Sequence, residues 1–286
     1  REYGTTAFLP TLITDTWEQM VNAVAAVAAA VELGVPSILG IHLEGPYLNE
    51  ERKGVHPVKR IRVPTGSEDL NRLFDVFPAH LIKLMTLAPE RVSPAFIQRL
   101  TRDGMIVSAG HSEASYDQIQ IALAHGVTGF THLFNAMSPM TSRKPGVVGA
   151  ALDHADSWCG LIVDGHHVHP VTLRQAIKAK AKGKMILVTD AMHTVGQDAG
   201  RFDLMGSPIV SENGKVTTPN GTLAGSNLDM ASAVRNTVQQ VGLELEEALR
   251  MASLYPAQFL QLDNKIGRIA KGFQADLVLI DDDMMV

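Results

Sequence analysis

The sequence reads as an α/β chain of the closed parallel-barrel class, a (β/α)8 TIM-type barrel whose first strand is absent. Three observations carry this. Seven short apolar runs alternate with helical patterns, so strand-then-helix units follow one another along the chain. Most of these runs are continuously apolar, which means burial on both faces and hence a parallel sheet. Polar residues with chemistry to offer stand at nearly every strand exit. A barrel gathers such residues around its mouth, whereas a doubly wound open sheet collects them at one switch point. The open sheet needs no missing strand, but it leaves that spread unexplained.

Thr5–Thr14 reads as the first of the seven strands, with a Pro irregularity at Pro10. Asp15 and Glu18 have capping-box spacing, and the Ala/Val-rich run to Leu33 is a helix stopped by Gly34. Ile38–Glu44 is an apolar strand ending in a carboxylate, and Gly45-Pro46 breaks it. The polar stretch Asn49–Pro64 is a lid or binding loop. Leu81–Leu87 is a strand ending Ala88-Pro89-Glu90, and Ser93-Pro94 opens a helix with Pro at its first position. Met105–Ser112 is a strand whose exit carries His111. Ser112 or Ser115 caps the next helix, which runs to His125 and ends at Gly126. Val127–Phe134 is a strand containing His132, and Cys159–Val163 leads into Asp164-Gly165-His166-His167. A helix over Val171–Lys182 stops at Gly183, and Met185–Ala191 closes the series.

The rhythm then changes. Ser211–Thr222 is a turn-rich hairpin, Asp229–Val241 and Leu245–Ser253 are amphipathic helices, and Pro256 starts a third. Ile266–Val286 is β-type and reads as part of a small sheet. The division is therefore a barrel over residues 1–262 and a partial small β domain over 263–286.

Composition excludes several roles. A net charge of −5 offers no basic excess for a nucleic-acid backbone, and no apolar run approaches transmembrane length. The single Cys159 rules out an internal disulfide framework and a cysteine-cluster zinc site, which favours a reducing, cytoplasmic setting.

Glu44, His111, His132 and Asp190 stand at four strand exits, which a barrel brings to one mouth. Singly, each has a bland reading: a solvated strand end for Glu44, a structural His for each imidazole, a helix cap for Asp190. Together, one carboxylate and two neutral imidazoles make a divalent-metal site, and such a metal brings the deprotonation of water toward neutral pH. Asp190 beside that water would serve as proton acceptor and then donor. His42 shares the face of Glu44 but lies deeper and reads as barrel filling. His80, His125, His154 and His193 read as surface or packing residues.

Seven motifs occur in order: His42-Leu43-Glu44-Gly45-Pro46, Lys53-Gly54-Val55-His56, Ser108-Ala109-Gly110-His111-Ser112, Thr131-His132-Leu133-Phe134-Asn135-Ala136-Met137, Asp164-Gly165-His166-His167, Val188-Thr189-Asp190-Ala191 and Gly221-Thr222-Leu223-Ala224-Gly225-Ser226. In this order, and over essentially the whole chain, they resemble the N-acetylglucosamine-6-phosphate deacetylases of the amidohydrolase superfamily. The resemblance implies a (β/α)8 barrel with a small β-sandwich built from both chain ends. It implies that Glu44, His111 and His132 hold a divalent metal, usually zinc, that Asp190 is the proton donor and acceptor, and that His56 lies against the substrate carbonyl. It further implies sugar-phosphate contacts from Val55, His56, Asn135, Ala136, Arg143, His167, Leu223, Ala224 and Gly225, and a homodimer. Arg143 suits phosphate because its guanidinium is a permanently charged fork.

The superfamily's first-strand motif has no counterpart here, which leaves a second metal open. The expected reaction is deacetylation of N-acetylglucosamine 6-phosphate. The alternatives are another amidohydrolase, acting on cyclic amides or N-acyl amino acids, and a non-catalytic sugar-phosphate-binding fragment.

Overall fold

The computed structural model describes residues 2–75, 77–78, 81–197 and 199–286. His80 lies outside the described residues. The chain divides into two compact units, one of Ala7–Ala151 and one of Arg1–Thr6 with Leu152–Val286.

The first unit is a run of parallel strands joined by helices. β1 (Thr11–Ile13), β2 (Gly40–Glu44), β3 (Ile82–Leu87), β4 (Ile106–Ala109) and β5 (Val127–Phe130) pair in sequence order, each parallel to the next. The helices between them are α1 (Trp17–Glu32), α2 (Ser67–Asp75), α3 (Pro94–Arg102) and α4 (Tyr116–Ala124), with α5 (Gly146–Asp153) following β5. All five residues of β2 are buried, the polar His42 and Glu44 included, as a strand covered on both faces requires.

Helix starts follow their local chemistry. Ser93 caps α3 through the Phe96 N–H, with Pro94 in the first turn. Ser115, not Ser112, caps α4, and Gln118 completes a reciprocal capping box with it. At α1 the cap is Thr16, which accepts from the Gln19 N–H, and Asp15 instead accepts from the Thr16 N–H at 2.6 Å. The capping-box spacing at Asp15 is therefore one residue early. The Asn49–Pro64 loop contains two short 3-10 turns, Glu50–Arg52 and Val58–Arg60.

The second unit carries a parallel pair, β6 (Trp158–Leu161) and β7 (Met185–Leu187), linked by α6 (Pro170–Ala179). A three-stranded antiparallel sheet follows: β8 (Ala199–Leu204), β9 (Ser207–Glu212) and β10 (Lys215–Thr217). The β9–β10 turn is Asn213-Gly214, both at positive φ, as a tight hairpin demands. α7 (Met230–Asn236) continues as a π turn to Val241, and α8 (Leu245–Ala252) and α9 (Leu254–Phe259) complete the unit.

Among the described residues six strands thus lead to helices, and β7 to the antiparallel sheet that precedes α7; the strands run parallel to their neighbours within each unit, which is the repeat of the barrel class. Some expectations are corrected. α2 and β8 had no sequence reading, and α9 begins two residues before Pro256. Ile266–Val286 carries no strand. An extended run becomes a strand only by sharing its amides with a neighbour, and among the described residues this segment has no ladder partner. Its apolar residues stand in the open, Ile269 at 90% and Leu279 at 88% exposure. No helix among the described residues is long and apolar enough to cross a membrane.

Candidate metal centre

Strand register brings the candidate ligands level. Glu44 ends β2 opposite Thr86 of β3. Ala109 pairs with Phe130, so β4 and β5 end together, and His111 and His132 each follow two residues later. The sequence placed His132 inside a strand. It lies just beyond one, and both histidines take left-handed backbone, φ 49° and 37°. Departure from the β region at those positions turns each ring back over the strand ends.

Three donor atoms then form a tight triangle. His111 Nε2 is 3.2 Å and His132 Nε2 is 3.0 Å from Glu44 Oε1, and the two Nε2 atoms are 3.1 Å apart. All three side chains are buried. A tetrahedral ion with ligands at about 2.0–2.1 Å separates its donor atoms by roughly 3.3 Å. The triangle therefore fits a divalent cation.

The tautomer of His111 agrees. Its Nδ1 lies 2.7 Å from the Arg52 carbonyl, which only accepts, so Nδ1 carries the proton and Nε2 presents a lone pair to the triangle.

His56 completes the cluster in another role. One ligand atom each from Glu44, His56 and His111 lies within 4.8 Å of the others, so His56 is within the reach of a metal site. Yet its Nε2 is 3.9 Å from Glu44 Oε2, and its Nδ1 faces the Thr14 N–H at 3.3 Å and the Thr14 hydroxyl at 2.9 Å. A backbone N–H only donates, so Nδ1 accepts and the neutral ring carries its proton on Nε2. Burial, reinforced by the nearby histidines, lowers the His56 pKa to about 3, so the ring stays neutral. His56 is thereby a hydrogen-bond donor aimed toward the triangle, whereas His111 offers a lone pair.

Thr14, which the sequence reading left at a strand end without a part in the site, also brings its hydroxyl oxygen within 3.2 Å of the Glu44 carbonyl oxygen. Gly45 makes this approach possible, since a Cβ there would meet Thr14 Oγ1 at 2.1 Å. His42 is buried as expected, with Nδ1 on the Thr11 hydroxyl and Nε2 on Thr86 Oγ1, which meets Thr131 Oγ1. Burial lowers its pKa to about 4.

The other expected residues fall in two groups. In the first unit Val55 precedes His56, and Asn135 and Ala136 turn out of β5 beside His132, with Asn135 donating to the His132 carbonyl at 3.2 Å. Arg143 stands exposed in the loop before α5. In the second unit Asp164 accepts from the His166 and His167 N–H groups and pairs with His167 Nδ1 at 2.6 Å. Burial opposes ionisation of Asp164, but the bonds from His167 keep its pKa lowered. Asp190 lies past β7 at φ 50°, with its carbonyl accepting from the Ser226 N–H at 2.8 Å. Leu223–Gly225 follow β10, and Ala224 N–H returns to the Val216 carbonyl at 3.0 Å. His125 caps α4, His154 accepts from the Ser157 N–H, and His193 packs on Phe202, in keeping with packing roles.

The chain is similar to known proteins along its length. The amidohydrolase family model matches residues 2–285. The N-acetylgalactosamine-6-phosphate deacetylase of Shewanella sp. (strain ANA-3) is 46% identical over all of this chain and 72% of its own length. The N-acetylglucosamine-6-phosphate deacetylase of Haemophilus influenzae is 38% identical over 99% of this chain and 74% of its own. The crystal structure of N-acetylglucosamine-6-phosphate deacetylase from Pasteurella multocida superposes with a TM-score of 0.95 at 41% identity, over 99% of this chain and 74% of that one. With a family match along nearly its whole length and a shared fold at that level, this chain belongs to the amidohydrolase family.

Proposed function

We propose that the chain removes the acetyl group of N-acetylglucosamine 6-phosphate, releasing glucosamine 6-phosphate and acetate. The triangle of Glu44 Oε1, His111 Nε2 and His132 Nε2, at 3.0–3.2 Å, carries the reading. Glu44, His111 and His132 hold a divalent cation, zinc in our reading, which when bound supplies Lewis acidity toward water and the acetyl carbonyl. His56 Nε2–H donates to the carbonyl oxygen, and the bond strengthens as negative charge gathers there on addition of water. Asp190 takes the proton of the attacking water and delivers it to the amine nitrogen as the C–N bond breaks.

Arg143 and the amides of Asn135 and Ala136 bind the phosphate, while Val55, His167, Leu223, Ala224 and Gly225 hold the sugar. The resemblance to sugar-phosphate enzymes along the whole chain supports these assignments, as does the neutral, donor-bearing His56. A homodimer working in the cytoplasm completes the reading. Acetate release from N-acetylglucosamine 6-phosphate tests it, with the metal-stripped chain and unphosphorylated N-acetylglucosamine as controls. Equal turnover of both sugars, or turnover indifferent to chelation, would refute it.

A second reading is the galactose epimer, N-acetylgalactosamine 6-phosphate, favoured by the 46% identical Shewanella protein. The ratio of kcat/KM for the two epimers separates them.

A further inference from the structure

Glu90 has no part in the proposed reaction, yet its carboxylate gathers more hydrogen bonds than the site requires of a loop residue. It lies in the 3-10 turn Pro89–Arg91 at the exit of β3. Oε1 accepts from Asn49 Nδ2 at 2.9 Å and from the Glu113 N–H at 2.7 Å, and Oε2 accepts from Ser112 Oγ at 2.7 Å. Each partner leads to His111. The Asn49 N–H donates to the His111 carbonyl at 2.9 Å. Ser112 and Glu113 follow His111 directly, and the Glu113 carboxylate pairs with the Arg52 guanidinium. The Arg52 carbonyl in turn receives His111 Nδ1. The contacts form a closed circuit, Glu90–Glu113–Arg52–His111–Asn49–Glu90.

A branch reaches the segment after His132. The Ser112 N–H donates to the Ala136 carbonyl, and the Ser138 N–H donates to the Ser112 carbonyl, both at 3.0 Å. Glu90 therefore ties together the chain segments that leave Glu44, His111 and His132. Both histidines hold positive φ, a conformation that persists only where the surroundings over-determine it. From this placement we infer that Glu90 is a positioning residue for the metal centre: it holds the His111 backbone, and the carbonyl that fixes its tautomer, where the ring completes the triangle. The inference rests on the metal site proposed above.

Groups one bond removed from a ligand set metal affinity by about 10–100-fold. The test strips the chain of metal and titrates it with Co2+, following the visible absorption of the bound ion. Glu90 stands one contact beyond such groups, so Glu90→Ala is expected to raise the Co2+ Kd by about 10-fold, the low end of that range. Glu90→Gln, which keeps an acceptor for Asn49 and Glu113, should recover much of that loss. Melting of the stripped variants reads the fold separately.

A lowered melting temperature with an unchanged Kd would assign Glu90 a purely structural part and overturn the inference, as would a folded Glu90→Ala chain with the parent's Kd. Should Glu90→Ala not fold, Ser112→Ala decides: it deletes the bond to Oε2 together with the acceptor of the Ala114 N–H, weaker Co2+ binding supports the inference, and an unchanged Kd overturns it. A parent chain that takes up no Co2+ at all would overturn the metal centre itself, which is a distinguishable failure.

Discussion

Replacing His56 with Asn separates a metal ligand from a hydrogen-bond donor. Asn side-chain atoms overlay the near half of an imidazole, so Oδ1 can still accept from the Thr14 N–H that now meets Nδ1 at 3.3 Å. The Nε2–H, which extends toward Glu44 from a ring only 2% exposed, is lost with nothing to replace it. In so buried a place water does not substitute well for the missing donor, and one donor to a developing oxyanion contributes about 2.7–4 kcal/mol, or roughly 10²–10³ in kcat. Burial keeps the ring neutral, with its pKa lowered to about 3, so His56→Asn removes no charge and leaves the Glu44–His111–His132 triangle intact. We expect kcat for acetate release to fall about 10²–10³-fold with unchanged metal stoichiometry by elemental analysis. A kcat within a few-fold of the parent would remove the donor role. A halved metal content would show that the tautomer argument is wrong and that His56 is itself a ligand.

Asp190→Asn should abolish acetate release while metal content stays at the parent level, and near-normal turnover would end its assignment as the proton carrier. Arg143→Ala should raise KM far more for the phosphorylated sugar than for free N-acetylglucosamine. Equal changes would deny the phosphate contact. Asp164→Asn addresses pH. The carboxyl of Asp164 is held below its ordinary pKa mainly by His167, so its contribution to stability is present above the unfolded value near 3.9 and is lost as pH falls through the lower folded value. The variant should therefore melt below the parent at pH 7, with the difference shrinking toward pH 3, and a gap that widens in acid would contradict the pairing.

Much of this architecture is legible in residues whose message is local. Ser93-Pro94 and Ser115 with Gln118 start their helices where their own side chains can satisfy free N–H groups. The continuous apolar run at β7 identifies a buried parallel strand because alternation would have exposed every second residue. The Asp15 cap is off by one because two adjacent polar residues compete and backbone geometry chooses Thr16. The β-type tail fails to become a strand because pairing partners, not alternation, make a sheet.

The sequence by itself determined the strand–helix alternation, the ligand types at the strand exits and, through seven ordered motifs, the family. It could not say that His111 and His132 lie past their strands at positive φ, that Thr14 locks the proton of His56 onto Nε2, or that Glu90 binds together segments far apart along the chain. Those facts depend on which groups the fold brings within hydrogen-bonding distance of one another. Hydrogen-bond direction and tautomer exist only once the donor and acceptor have met.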